Sequence, residues 1–117
     1  DALAMLGAGL WCGATGWPAT RQVPTIPFAF SLYGMRSLPL GRALRVCADI
    51  GYSGVELVCM TGWPCDPVAL TVSDRRTLRR QLVDQALELP ALMDNLRLLG
   101  TPEIHRENQD RLKRLGE

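Results

Sequence analysis

Along residues 26–99 the hydrophobic pattern alternates between strand-like runs and helix-like periods, and this alternation restricts the fold more than any other feature. Residues 26–33 read as a strand, with Phe28, Phe30 and Leu32 alternating with Ala29, Ser31 and Tyr33. Residues 39–50 read as a helix, 55–60 as a second strand, 73–88 as a second helix and 89–93 as a third strand. A third helix is expected from Thr101 and Pro102, a capping residue followed by proline. A strand that returns to its sheet through a helix must cross over and pair in parallel. The expected class is therefore α/β with a parallel sheet.

The predicted boundaries have chemical reasons. Pro39 suits a first helical position, where a missing N–H costs nothing, and Gly51 suits the left-handed residue that closes a helix. Between them Leu40, Ala43, Leu44, Cys47 and Ile50 recur at helical spacing. In the second helix Ser73 is the expected N-cap, Asp74 favours the positive end of the helix dipole, and Leu78, Leu82, Ala86 and Leu89 form the apolar stripe. Arg75, Arg76, Arg79 and Arg80 read as a solvated outer face. Ile104, Leu112 and Leu115 are expected on one side of the third helix. The first two strands are largely apolar on both faces, as in a doubly wound sheet or a β/α barrel with both faces covered. Closing a barrel takes eight strands and about 250 residues. The 117 residues are therefore expected either to be part of a longer barrel or to associate with something that completes the core, a second copy included.

Residues 1–25 stand outside the alternation. Residues 2–14 are an uncharged run rich in Ala and Gly, short for a membrane-spanning helix and suited to the apolar centre of an export signal. The run is similar to the middle of a twin-arginine leader, without the Arg-Arg pair; the alternative is an additional buried helix. The protein is accordingly expected to be exported or periplasmic if the leader acts, and cytoplasmic otherwise, with no membrane attachment after leader removal. A formal net charge of +1 gives no reason to expect nucleic acid as a partner. The four cysteines, Cys12, Cys47, Cys59 and Cys65, include no C-x-x-C pair, and His105 is the single histidine, so no zinc site of the usual spacing is present. Cys47 and Cys59 read as small buried hydrophobes; in an exported chain Cys59 with Cys65 is the local candidate for a disulfide.

Three segments carry a family resemblance: residues 30–37, residues 50–57 with Gly51, Tyr52, Gly54, Val55, Glu56 and Leu57, and residues 89–96. They resemble the first three strand regions of sugar phosphate isomerase/epimerase proteins, which have the xylose isomerase-like TIM barrel. The helix-to-strand join Gly-Tyr-x-Gly-Val-Glu-Leu is the most specific piece, and it is shared with endonuclease IV-like repair enzymes and inosose dehydratases. The resemblance covers residues 26–117, about a third of such a barrel. It implies a partial (β/α)8 TIM barrel, its first three βα units preceded by the leader-like segment. It also implies metal-assisted proton transfer between adjacent carbons of a small-molecule sugar or keto-sugar. The implied cofactor is a divalent metal, Mg²⁺, Mn²⁺ or Zn²⁺, acting as a Lewis acid. Its usual ligands come from later strands, so no metal ligand is assigned here and these units alone are not expected to catalyse. The remaining alternatives are a non-catalytic barrel module acting by association and a DNA-repair barrel.

Glu56 is the first candidate for catalysis, because a carboxylate within an apolar strand is costly to bury without a partner, and the resemblance aims it at the barrel interior. The structural alternative is a carboxylate paired with an arginine such as Arg36 or capping backbone donors. Tyr33 and Arg36, just past the first strand, are candidates to line the pocket and to hold a phosphate. Trp63, in the proline-containing loop 61–67, is a candidate wall against the apolar face of a sugar. Asp94 and Asn95 follow the third strand at the rim where barrel sites assemble; they read as sugar-binding groups or as a turn or cap. His105 reads as a surface residue.

Overall fold

The computed structural model describes residues 26–117; the leader-like run and Cys12 lie outside the described residues. The described chain is α/β: β1 (Ala29–Ser31), one turn of 3-10 helix (Leu32–Met35), α1 (Leu40–Ile50), β2 (Gly54–Val58), α2 (Val72–Asp84), β3 (Glu88–Met93) and α3 (Pro102–Leu115). The three strands form one sheet in the order β1-β2-β3, and both pairings are parallel. Ser31, Glu56 and Ala91 stand side by side across it.

The helices gather on one face of this sheet. Val55, Leu57 and Cys59 pack with Leu44 and Cys47 of α1 and Leu82 of α2, and Leu115 of α3 joins them from the edge. Val55, Leu44 and Cys47 are wholly excluded from solvent. Val55 and Leu44 each contribute about 1.5–3 kcal/mol by leaving water. Because side chains alternate along a strand, Glu56 points to the opposite face. Val58, also on that side, is buried where the chain folds over after β1, in a small cleft shared with Leu32 and Met35. Leu32 and Met35 of this turn pack into the helix-side core with Leu44 and Cys47, so the turn closes the end of the sheet on the side of the helices.

Several boundaries differ from expectation. β1 is only three residues long, because Ser31 turns the chain by accepting a bond from Tyr33 N–H, which starts the 3-10 turn. Pro39 stands one residue outside α1, in extended conformation. α2 is capped by Thr71 rather than Ser73: Thr71 Oγ1 accepts from Asp74 N–H at 3.1 Å and Asp74 accepts from Thr71 N–H at 2.9 Å. This reciprocal box satisfies two amides at once, which a cap at Ser73 would not. Ala86 and Leu89 fall beyond the end of α2, at Asp84. On α3 the inward residues are Ile104, Asn108, Arg111 and Leu115, whereas Leu112 is exposed.

Candidate functional site

The parallel strands bring their carboxyl ends to one side, and the loops leaving them carry most of the candidates. Tyr33 and Arg36 follow β1, Trp63 follows β2, and Asp94 and Asn95 follow β3. Tyr33, Arg36 and Trp63 meet. The Tyr33 and Trp63 rings stack with centroids 5.4 Å apart and planes 18° from parallel. The guanidinium carbon of Arg36 lies 5.1 Å from the Trp63 ring centroid. Aromatic pairs contribute about 0.5–1.5 kcal/mol beyond area burial, and an exposed cation–π contact about 0.5–1 kcal/mol, enough to prefer this arrangement. Tyr33 remains 55% exposed, so the stack presents an aromatic surface outward.

The loop that carries Trp63 is built on Asp66, which the sequence reading passed over. Trp63 N–H donates to Met60 O and Asp66 N–H to Trp63 O, each at 3.0 Å. Gly62 takes φ +79° in the first of these turns, a left-handed conformation that suits glycine. Asp66 is buried and its carboxylate accepts from Gly62 N–H and Val68 N–H, each at 3.1 Å. Arg111 completes the set. It donates to Asp66 Oδ1 at 3.2 Å, to Asp94 Oδ2 at 2.5 Å and to the Cys59 carbonyl. Burial acts to raise the Asp66 carboxyl, but the two amides and the Arg111 guanidinium outweigh it and hold it below its ordinary value. The hydrogen bond from Arg111 to Asp94 likewise pushes the guanidinium further toward its charged form.

Asp94 is therefore engaged by Arg111, with its other oxygen accepting from Asn95 N–H at 2.8 Å; this is the local turn chemistry read as the alternative to sugar binding. Asn95 is exposed. Glu56 is half-buried on the helix-free face, and among the described residues no basic group pairs with it; Arg36 lies on Trp63 instead. His105 is exposed. Of the four clustered arginines Arg75 is not merely solvated: it donates to Pro67 O at 3.1 Å and Arg114 O at 2.9 Å, joining α2 to α3.

Cys59 and Cys65 are buried free thiols, not a disulfide, and burial pushes them up to about 11 and about 12. With Leu57, Leu78, Leu92 and Leu115 they border a cavity of about 320 Å³ on the helix side of the sheet. Its lining is mainly leucine and cysteine with Arg75 and Arg79 at the border, and none of Tyr33, Arg36 and Trp63 lines it. The cleft beside Arg36 and Trp63 is only about 30 Å³, too small for a sugar ring, so a ligand would lie on the exposed stack rather than in it. Among the described residues no three His, Cys, Asp or Glu side chains gather as a metal site requires. The two shielded carboxylates, Asp66 in the loop after β2 and Asp94 just past β3, are both held by Arg111, so the described residues do not fit a divalent metal.

A signal for the missed pair exists in the sequence. Arg111 falls on the inward stripe with Ile104, Asn108 and Leu115, and a charge on an inward stripe demands a buried partner. Comparison with family models, with curated proteins and with solved structures finds no match to this chain.

Proposed function

We propose that the described units are the opening part of a xylose isomerase-like β/α barrel that binds a sugar or keto-sugar and shifts a proton between adjacent carbons. The observation that carries this reading is the convergence of Tyr33, Arg36 and Trp63 at the carboxyl ends of parallel strands, the side on which barrel enzymes bind their substrates. Sequential strand order with helices on one face supports the barrel, since a doubly wound sheet carries helices on both. In this reading the stack receives the apolar face of the sugar, Arg36 attracts an anionic substituent, and Glu56 moves the proton from inside the barrel. The metal implied by the resemblance would be held by residues other than those described.

The test is proton exchange. Full-length protein is incubated with D-fructose or D-fructose 6-phosphate in D₂O containing Mg²⁺ or Mn²⁺, and deuterium next to the carbonyl is followed by NMR. Incorporation is expected, and Glu56→Gln should reduce its rate by about 10²-fold or more. Absence of exchange with both sugars, or full exchange in the variant, overturns the catalytic assignment. A second reading, a non-catalytic module acting by association, is favoured by Leu98 and Leu99, which are 83% and 91% exposed. Self-association without sugar binding would select it. Cleavage of abasic DNA would select the repair reading.

A further inference from the structure

We infer that Asp66, fixed by Arg111, is a positioning residue for Trp63, so that the loop between β2 and α2 presents the aromatic stack already formed to a sugar ring; the inference rests on the sugar reading above. Asp66 is 6% exposed and reaches across its own loop, receiving Gly62 N–H from one side of Trp63 and Val68 N–H from the other. The backbone of Trp63 sits where two turns meet, Trp63 N–H donating to Met60 O and Asp66 N–H to Trp63 O, and the Asp66 carboxylate ties the same loop together at Gly62 N–H and Val68 N–H. Arg111 refers this loop to the sheet, because its remaining donors go to Asp94 at the end of β3 and to the Cys59 carbonyl at the end of β2. A buried carboxylate with three donors has no comparable arrangement to move to.

The consequence is preorganisation. Stacking on a sugar is weak, and an indole that had to be ordered on binding would lose much of its contribution. Tyr33 and Arg36 contact the ring but come from the turn after β1, so they do not by themselves fix the loop of Trp63. Asp66 acts through the backbone and touches no ligand.

The test uses the full-length protein carrying Trp11→Phe and Trp17→Phe, which leaves Trp63 as the indole of residues 1–117, and its signal is assigned by difference against Trp63→Phe. In Asp66→Ala, acrylamide quenching of Trp63 should rise about threefold and the near-UV signal of the stack should fade, while the far-UV spectrum is retained. Asp66→Asn keeps one oxygen for the loop amides and should fall between. D-fructose and D-fructose 6-phosphate, titrated against Trp63 fluorescence, should bind roughly tenfold more weakly to Asp66→Ala. Unchanged quenching and near-UV signal in a folded Asp66→Ala variant overturn the positioning role. Should that variant not fold, hydrogen exchange on the unsubstituted chain decides: Gly62 and Val68 amides are expected to exchange at least about 10²-fold slower than free loop amides, and free exchange overturns the anchorage. A parent chain that responds to neither sugar overturns the sugar reading and the platform role with it. A responding parent whose Asp66→Ala variant binds equally well overturns only the positioning role.

Discussion

A guanidinium held between two shielded carboxylates is stable only as a set. Arg111 pairs with Asp66 and Asp94, whose side chains are 9% and 7% exposed, so removing the cation leaves two acids facing each other out of water. Arg111→Met is expected to cost about 3 kcal/mol or more, a large part of the ~5–15 kcal/mol that holds a domain together. Urea unfolding at pH 7 measures it, and a loss below about 1 kcal/mol would contradict the network. Acid reports on the same group. The Asp66 carboxyl is held below the ordinary 3.8 in the folded chain. A carboxylate depressed by folding contributes stability above its unfolded value and loses it as pH falls through the folded value. The contribution of Asp66 is therefore constant from neutrality to about pH 4 and disappears below that. Unfolding midpoints should drop below pH 4, less steeply in Asp66→Asn; Asp74 and Glu103, also held low, supply the background slope common to both.

Helix endings show which parts of the fold were legible. α1 and α2 close in the same way: Tyr52 N–H reaches Cys47 O and Leu87 N–H reaches Leu82 O, each bridging a left-handed residue. In α1 that residue is Gly51 at φ +102°, and glycine announced the stop; in α2 it is Ala86 at φ +52°, and nothing in an alanine announces one. The helical period consequently read on through Ala86 to Glu88. Ala86→Gly should relieve the left-handed strain of about 1 kcal/mol and raise the melting temperature, in contrast to the usual effect of glycine near a helix. Thr71→Ala should lower stability by about 1 kcal/mol by opening the box with Asp74, whereas Ser73→Ala, one residue inside the helix, should change little. Thermal unfolding of the three variants compares them directly. At the site, rim residues were legible because parallel strands deliver every following loop to one end. The Asp66–Arg111 pair was legible only by half: Arg111 shares a helical stripe with Ile104 and Leu115 and so needs a shielded partner, but that partner is 45 residues away and only the fold brings the two into contact.

The whole sheet has one fully paired strand and two edges. β2 is bonded on both sides, while β1 and β3 each leave one side without a partner among the described residues. An open parallel edge next to exposed Leu89 and Leu92 is an invitation to further pairing, which natural sheets answer with another strand, a cover or charge. The barrel proposal supplies an answer at β3, a fourth parallel strand. Met93 turns its carbonyl to Cys59 N–H at 2.7 Å, so strand alternation turns the Leu92 N–H to the other side, away from β2. That single amide separates the possibilities. With a fourth strand in place, Leu92 should exchange in the full-length protein as slowly as Met93 does, because both would be ladder bonds. With the edge open, Leu92 should exchange faster by orders of magnitude while Met93 stays protected. Edge pairing between copies would also protect Leu92, but the protection would then fall on dilution as the copies separate, whereas a strand of the same chain holds it at every concentration.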